Sequence, residues 1–377
     1  MFCDPIMHLR LDRRILMDAV SHCLKVVDRR VTNPCLANVL LLASEEGIRL
    51  MATNAQMAIE IGVEGEVTEP GATSVGAQKL HDLLREWPSA EALELMMEGN
   101  RLVVRHGRSR LRLNTISADE FPSPTAIEGG LEVSLSSAVL SEMIRSTQFS
   151  VSSDETRPYL TGILFEISSD HGLRVVSTDI HRLSFCQTAL SAAPEVERPF
   201  QVIVPARTAL EIKRLCDDFD APVRLLFSQD RLAFSVGEVM LTSRLINARY
   251  PLYEEVFPDA LPRRIMLPTQ EADGALRRCL VVADGMNHDV LLHFSANALM
   301  VSATNSEQEQ VDDFLAVQYS EDPVQLGFNG NYLRDVLSVT SSDQLRMEFS
   351  DAGSPVLFTE QTLGVEKRFI VMPLNLG

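Results

Sequence analysis

The stretch MHLRLDRRILMDAVSHCLKVV, residues 7–27, joins a short alternating segment to an apolar stripe at helical spacing. Two later stretches repeat this order, LEVSLSSAVLSEMIRSTQFSV at 131–151 and RRIMLPTQEADGALRRCLVVA at 263–283. Each carries apolar residues at i, i+1, i+4 and i+5, the spacing of a helix with one buried face. These sets are Ile15, Leu16, Ala19 and Val20; Val139, Leu140, Met143 and Ile144; and Ala275, Leu276, Cys279 and Leu280. The chain therefore contains an internal repeat.

The three repeats keep the same order further downstream. Each has a hairpin that ends in a small triad, and the triad threonines, Thr53, Thr178 and Thr304, are spaced by 125 and 126 residues. A second helix and paired strands follow. We predict helices at 13–27, 78–85, 138–147, 206–215, 273–282 and 331–338, and a tight turn at His106-Gly107.

This pattern predicts an α+β fold of three similar domains, each with two helices over antiparallel sheet. We place the N-terminal, central and C-terminal domains at 1–129, 130–259 and 260–377. Pro-rich stretches at 121–130 and 250–262 fit the linkers, since Pro favours extended backbone before it. Three unrelated α+β domains are the alternative, which the close register disfavours.

Composition excludes several classes of protein. No apolar run approaches the ~20 residues of a membrane-spanning helix, and the N-terminus lacks the order of a secretory signal, so we expect a cytoplasmic protein. The six cysteines are scattered, which predicts free buried thiols and neither a disulfide framework nor a metal site. No cofactor is expected.

Charge is divided unevenly along the chain. The net charge of −18 argues against nucleic-acid binding through bulk electrostatics. The six predicted helices, however, carry twelve basic and six acidic residues, a net +6, which leaves −24 elsewhere. Cationic helices predict backbone contact with DNA without base reading; ordinary solvated helix faces are the alternative.

Five segments together resemble a known family. They are GRSRLRLNT at 107–115, STDIHRLS at 177–184, NARYPLYEEVFP at 247–258, FNGNYLRDVL at 328–337 and VMPLNL at 371–376. In this order and spacing, the chain resembles the bacterial DNA polymerase III beta subunits, the sliding clamps, over nearly its whole length. The resemblance implies a head-to-tail homodimeric ring, with helices lining the hole and sheets outside, which encircles duplex DNA and confers processivity on the replicative polymerase.

The resemblance also implies a dimer interface between domain 1 of one copy and domain 3 of the other. An apolar contact would join Leu111 and Leu113 to Val281 and Val282. Around it, two oppositely charged groups would face each other: Lys79, Arg101, Arg108 and Arg110, and Glu307, Glu309, Asp312 and Asp313. Solvated charge runs are the alternative.

A peptide cleft between domains 2 and 3 is implied in the same way. It would receive short linear peptides from polymerase, clamp loader and repair proteins. Its implied residues are Leu160, Thr178, His181, Arg182, Leu183, Pro251, Val256, Val371, Met372, Pro373 and Leu374. Plain core positions, or a capping pair at His181 and Arg182, are the alternatives.

Arg30 and Tyr159 match DNA contacts of the family, although Asp154 and Pro158 depart from its pattern nearby. Other departures affect the cleft's peptide preference. Ile180 stands where Gly is usual, Glu255 and Asn375 where Arg is common, and Pro355 where Ser is common.

Two rival functions can be weighed. Asp179 and His181 could form an acid–base pair, but no nucleophile motif, phosphate loop or metal-ligand spacing accompanies them, so we predict a non-enzyme. A ring-shaped peptide-binding adaptor that does not encircle DNA is the second rival, and it would need the same cleft.

Overall fold

The computed structural model describes residues 7–28, 33–87, 92–122, 127, 129–192, 194–258, 260–283 and 288–374. The chain forms two compact units. Unit 1 contains the residues up to Ser134 together with Asp218–Leu245, and unit 2 contains Leu135–Asp217 together with the residues from Ile246 onward.

All three repeats show the predicted order of strand, helix, strands, helix, strands. The first contains β1 (His8–Asp12), α1 (Arg13–Val26), β2 (Asn38–Ser44), β3 (Gly47–Thr53), β4 (Met57–Val63), β5 (Glu66–Glu69), β6 (Gly71–Gly76), α2 (Ala77–Glu86), β7 (Ala92–Glu98), β8 (Arg101–His106) and β9 (Ser109–Ile116). The second contains β10 (Leu131–Ser136), α3 (Ser137–Thr147), β11 (Gly162–Ser168), β12 (Gly172–Thr178), β13 (Arg182–Thr188), β14 (Phe200–Pro205), α4 (Ala206–Asp218), β15 (Pro222–Phe227), β16 (Arg231–Val236) and β17 (Val239–Arg244). The third contains β18 (Arg263–Pro268), α5 (Thr269–Val282), β19 (Asp289–Ser295), β20 (Ala298–Thr304), β21 (Gln310–Ala316), β22 (Val324–Asn329), α6 (Gly330–Val339), β23 (Gln344–Phe349), β24 (Val356–Thr362) and β25 (Val365–Val371).

The apolar stripes bury the helices as predicted. Leu16, Ala19 and Val20 of α1 are at most 3% exposed, and Leu140, Met143 and Ile144 of α3 are fully buried. Helix starts are capped where the sequence offers an acceptor. The side chain of Asp12 accepts from the Arg14 amide, and that of Ser136 accepts from the Val139 amide.

One predicted turn lies one residue later than expected. His106 pairs with Ser109, so Gly107 and Arg108 form the two-residue turn between β8 and β9. Gly107 has φ of 56°, which a residue without Cβ adopts at little cost. Pairing therefore continues through His106, which the sequence had assigned to the turn.

Sheets continue from one repeat into the next. In unit 1, β4 pairs antiparallel with β17, from Ile61 opposite Val239 to Met57 opposite Ser243. We call this pairing the first joint. In unit 2, β13 pairs antiparallel with β25, from Arg182 opposite Val371 to Thr188 opposite Val365. We call this pairing the second joint.

The joints give the sheets their strand order. The sheet of unit 1 runs β10-β15-β16-β17-β4-β3-β2-β6-β9-β8-β7-β1-β5. Unit 2 holds an eight-stranded sheet, β14-β11-β12-β13-β25-β24-β23-β18, and a four-stranded sheet, β21-β20-β19-β22. In the four-stranded sheet β21 is a terminal strand.

Candidate functional site

Unit 2 contains an apolar cleft of about 220 Å³ beside the second joint. Among the described residues, ten large apolar side chains are exposed, and four of them line this cleft. These are Ile180, Leu252, Val256 and Met372, which are 54%, 60%, 38% and 38% exposed. Exposed apolar side chains gathered in one concave place mark a docking surface. A concavity of about 720 Å³ lies elsewhere in unit 2, but its lining mixes apolar residues with polar and charged ones, including Arg264, Gln344 and Arg346.

The turn between β12 and β13 forms one wall of the cleft. Thr178 Oγ1 donates to the Arg182 carbonyl at 2.6 Å and accepts from the Ile180 amide at 3.1 Å. Asp179 Oδ1 accepts from the amides of His181 and Arg182 at 3.1 Å each. These bonds hold Ile180 in the left-handed region, with φ of 82°. Thr178 and Asp179, which belong to the triad of the second repeat, therefore stabilise a turn.

The same hydrogen bonds argue against the hypothesis that Asp179 and His181 form an acid–base pair. The Asp179 carboxylate is occupied by two backbone amides and by Arg182 Nε at 2.9 Å. The His181 ring instead stacks on Tyr332, with the ring centroids 6.3 Å apart. The structure explains Asp179 as the support of a turn.

Arg182 fixes this wall to α6. Its Nη1 donates to Asp335 Oδ2 and its Nη2 to the Phe149 carbonyl, both at 2.5 Å. The guanidinium also lies 4.3 Å from the ring centre of Tyr332. Because its side chain is only 11% exposed and its donors are satisfied, Arg182 acts as a rigid support for the cleft.

A turn at Tyr253–Val256 forms the opposite wall. The buried Tyr253 hydroxyl donates to Glu166 Oε1 at 3.0 Å, which anchors the turn to β11. Val256 and the preceding Pro251 and Leu252 line the cleft from this side. The buried Tyr253 therefore positions the aliphatic side chains of this wall.

The structure brings together seven of the eleven predicted cleft residues: Leu160, Thr178, Arg182, Leu183, Pro251, Val256 and Met372. Val371 is fully buried and belongs to the core, which corrects its placement in the cleft. His181 faces Tyr332 outside the cleft lining, and Pro373 and Leu374 follow β25, where the Leu374 amide donates to the Gly327 carbonyl at 2.8 Å.

Five lining residues were missing from the predicted cleft: Tyr159, Ile180, Leu252, Tyr253 and Ile370. Tyr159 had been predicted as a DNA contact, but its side chain lies in the cleft lining. Arg30, the other predicted DNA contact, lies outside the described residues. The run PLYEEVFP at 251–258 could have indicated Leu252 and Tyr253, because its apolar residues flank Val256 on the same short segment.

The predicted interface residues lie on α2, β8, β9, α5 and β21 and on the turns that precede β9 and β21. Exposed among them are Lys79, Arg101, Arg108, Arg110, Glu307, Glu309 and Asp312, with Leu111 and Val282 half-buried. Val281 is 86% exposed. Leu113 is 5% exposed and packs in its own unit, so it has little surface for a second copy. Asp313 pairs with Arg278 and Arg110 with Glu98 within the chain.

The predicted charge on the helices is too large. Observed helices extend further than the predicted ones and include Glu86, Asp217, Asp218 and Glu271. They therefore carry twelve basic and ten acidic residues, a net +2. The rest of the chain carries −20, so the contrast keeps its sign but falls in size.

The described cysteines, Cys23, Cys35, Cys186, Cys216 and Cys279, are free and buried, as predicted, and Cys3 lies outside the described residues. Burial raises the pKa of Cys23 and Cys186 to about 12, so their thiols stay protonated. Among the described residues, no group of three or more His, Cys, Asp or Glu could hold a metal ion. No helix in the described part of the chain has the length and apolar content to cross a membrane.

Three α+β repeats joined through their sheets, with an apolar docking cleft beside one joint, define a clamp-type binding protein. Three models of the DNA polymerase III beta subunit match the chain: the N-terminal domain at 7–125, the central domain at 134–252 and the C-terminal domain at 254–374. The chain belongs to the DNA polymerase III beta subunit family, whose members are DNA sliding clamps and non-catalytic processivity factors. The predicted fold class and replication role are confirmed, while the exact domain boundaries remain predictions.

Three similar proteins each align with 98% of this chain. The beta sliding clamp of Pseudomonas putida is 33% identical, over 98% of this chain and 100% of that protein. That of Escherichia coli K12 is 31% identical over the same shares. A crystal structure of the Pseudomonas aeruginosa sliding clamp bound to griselimycin superposes with a TM-score of 0.93 at 31% identity, over 98% of this chain and 100% of that one.

Proposed function

We propose that two copies of this chain join head to tail into a ring around duplex DNA. We further propose that the cleft receives short linear peptides from the replicative polymerase, the clamp loader and repair proteins. The single observation that supports the ring is that the same kind of strand pairing joins successive repeats twice, at the first joint and at the second. The proposed location is the cytoplasm.

A third joint would complete the pattern. The first joint pairs β4 of the first repeat with β17, the last strand of the second, and the second joint pairs β13 with β25, the last strand of the third. By the same rule β21 should pair with β9, the last strand of the first repeat. The outer edge of β21 has no strand partner among the described residues. A second copy would supply that partner.

Side chains on these strands are suited to such a joint. Val281 and Phe314, 86% and 69% exposed, offer apolar surface beside and on β21. Antiparallel pairing with Arg110 opposite Asp312 would also place Leu111 opposite Val311. The half-buried side chains of the two strands would then lie on one face and the exposed side chains on the other. The opposite charges of Arg110 and Asp312 would set the register.

The dimer can be tested by charge reversal. We expect Arg108→Glu with Arg110→Glu to weaken the dimer, because both would then face Asp312 and its neighbours with like charge. A second variant, Val281→Asp, places a charge in the apolar contact. Sedimentation velocity at nanomolar protein measures the dimer fraction.

A charge-matched control, Arg198→Glu with Arg224→Glu, changes two exposed arginines remote in sequence from β9. It should leave the dimer intact. Unchanged sedimentation of both test variants would count against the interface.

Encirclement of DNA can be tested by topology. A loaded ring should stay on nicked circular DNA and be lost when that DNA is made linear, because it can slide off the ends. A weak helix charge of +2 suits sliding, since strong phosphate contacts would slow it. Equal retention on circular and linear DNA would instead identify an adaptor or an ordinary DNA binder. Arg30 and Tyr159 remain proposed DNA contacts.

The cleft's role can be tested through a polymerase. The protein should show no turnover alone but should stimulate its cognate polymerase on primed circular DNA. Val256→Ala with Met372→Ala should lower that stimulation, because both side chains line the cleft and are exposed there. Sedimentation should still show an intact dimer.

A further inference from the structure

Ile180 occupies a backbone position that β-branched residues rarely adopt. Its φ is 82°, and its side chain is 54% exposed over the cleft. The corresponding turn of the first repeat has Ala55 at φ of 71°, so the turn geometry itself imposes this conformation. A residue other than Gly is strained in the left-handed region, and a branched side chain fits worst there. The apolar surface that Ile180 adds to the cleft is the one visible gain from this strain.

The opposite wall carries negative charge. Glu254 and Glu255 lie in the turn Tyr253–Val256, between two residues that line the cleft, and both are exposed. Glu254 approaches Arg174 only at 4.0 Å, and Glu255 has no ion pair among the described contacts. The exposed Arg249 offsets one of the two charges, which leaves a net −1 on residues 249–258.

No lining residue opposes this charge. Arg182 is the one charged residue in the described lining, and Asp179 and Asp335 compensate it. A ligand in the cleft therefore meets aliphatic side chains in the centre and a net negative charge at one rim.

We infer that this cleft selects peptides in which an aliphatic anchor, packed against Ile180, is flanked by a basic side chain. This inference rests on the proposed peptide-binding function of the cleft. Ile180 and Met372 hold the anchor, and the carboxylates of Glu254 and Glu255 attract the flanking cation. Ile180 and this acidic turn thus determine specificity, while Leu160 and Leu183 form the buried floor.

Three capped peptides test the inference on the full-length protein by fluorescence anisotropy at low salt. One has the sequence Lys-Ser-Leu-Ser-Leu-Ser-Lys, the second has Glu in place of both Lys residues, and the third has Ala in place of both Leu residues. We expect the Lys peptide to bind about fivefold more tightly than the Glu peptide, since each exposed ion pair contributes ~0.2–1 kcal/mol. Added salt should reduce this preference.

Variants separate the two determinants. Glu254→Gln with Glu255→Gln should abolish the preference for Lys, whereas the control Glu195→Gln with Glu197→Gln, which removes the same charge from another exposed segment, should retain it. Ile180→Ala keeps a Cβ in the same turn but removes the apolar contact. It should weaken both Leu peptides by about tenfold while leaving the charge preference unchanged.

The outcomes distinguish the inference from the function on which it rests. If the Leu peptides bind no better than the Ala peptide, the peptide-binding function itself fails. If the Leu peptides bind well but Lys and Glu forms bind equally, or the Glu form binds more tightly, the function stands and the inference is overturned. Unchanged affinity in Ile180→Ala overturns the role of Ile180.

Discussion

The first and second joints are both antiparallel strand pairings, but they differ in the side chains that the paired strands carry. At the first joint, Ile59 and Ile61 face Leu241 and Val239, and Glu60, the charged residue of this ladder, lies opposite Met240 and pairs with the half-exposed Arg49. At the second joint, Lys367 is fully buried on β25. Its Nζ donates to Glu360 Oε2 at 2.9 Å and to the Val339 carbonyl at 3.1 Å, and it also pairs with Glu142.

This difference shows that one ladder can be stabilised in two ways. The first joint should tolerate small changes in packing, because its one charged residue, Glu60, pairs with a half-exposed arginine and is not fully buried. A joint with buried charges requires every partner in place, since an unpaired buried ion is costly. The second joint lies beside the cleft, where fixed geometry would serve the proposed binding of peptides. The following predictions test that contrast.

Removal of the buried cation should have the largest effect. We expect Lys367→Ala to lower the free energy of unfolding by about 3–5 kcal/mol, because Glu142 and Glu360 would lose the buried cation that they share. Chemical denaturation, with hydrogen exchange to assign the change to unit 2, measures it. Met240→Ala at the first joint, where Met240 is 41% exposed, is the control and should cost less than about 1 kcal/mol. Equal losses at both joints would contradict the contrast.

Acid should affect unit 2 before unit 1. Burial opposes ionisation of Glu142 and Glu360, but other contacts outweigh it and hold the pKa of each carboxyl below its usual value. Hydrogen bonds from Arg145 and Lys367 do so for Glu142, and Lys367 with the backbone amides of Ser342 and Ser341 does so for Glu360. A lowered folded-state pKa stabilises the protein above the usual Glu pKa of about 4.3, and this stability is lost as pH falls below it. In unit 1, a hydrogen bond from Gln78 lowers the pKa of Asp82, whose side chain is nearly half exposed and so contributes less to stability.

Pepsin digestion between pH 5 and pH 3, with fragments assigned by mass, measures this order. Cleavage should begin in unit 2. The variant with Glu142→Gln, Glu360→Gln and Lys367→Met should narrow the difference between the units, because it replaces the charged network by neutral groups. Earlier cleavage in unit 1 would show that the network does not set acid stability.

Loss of the contact between Arg182 and α6 should have an intermediate effect. Asp335→Ala removes one partner of Arg182 but leaves Asp179 and the Phe149 carbonyl in place. Because the Asp335 side chain is 42% exposed, we expect a loss of only about 1 kcal/mol in thermal unfolding. Asp170→Ala, at an exposed position, is the control.

The smallest effect concerns the two left-handed turns. Ala55→Gly should change stability by less than about 0.5 kcal/mol, since relief of strain and added chain entropy nearly cancel. Ile180→Gly should be more stable relative to its parent by about 1 kcal/mol, because a β-branched residue is more strained there. Paired denaturation curves measure the difference. A destabilised Ile180→Gly protein would mean that its side chain packs within the fold.

Local periodicity was enough to predict the repeats. The stripe of Leu16, Ala19 and Val20 and the spacing of the triads follow from backbone geometry, which nearby residues determine. The ends of helices were less predictable, because Glu86 and Asp217 extend them without changing the apolar pattern. Because the predicted helices left out these acidic residues, their predicted net charge was +6, whereas the observed helices carry +2.

The sequence could predict the cleft only in part. The resemblance pointed to the residues of both walls, yet it could not separate Val371, which is core, from Met372, which is exposed. Lys367 lies in VEKRFIV, where alternation suggests nothing unusual, and its burial depends on Glu142, which is more than 200 residues away. Long-range partners of this kind leave no local signal.

The recurrence of one strand-pairing rule has a consequence for assembly in the cell. Backbone hydrogen bonds do not distinguish one strand from another, so the edge of β21, which has no strand partner among the described residues, offers them to any extended segment. In the proposed dimer, the side chains of Asp312, Phe314 and Val281 would therefore have to select the correct partner strand. Substitutions of these three residues would then disturb the pairing of two copies before they disturbed the folding of either copy.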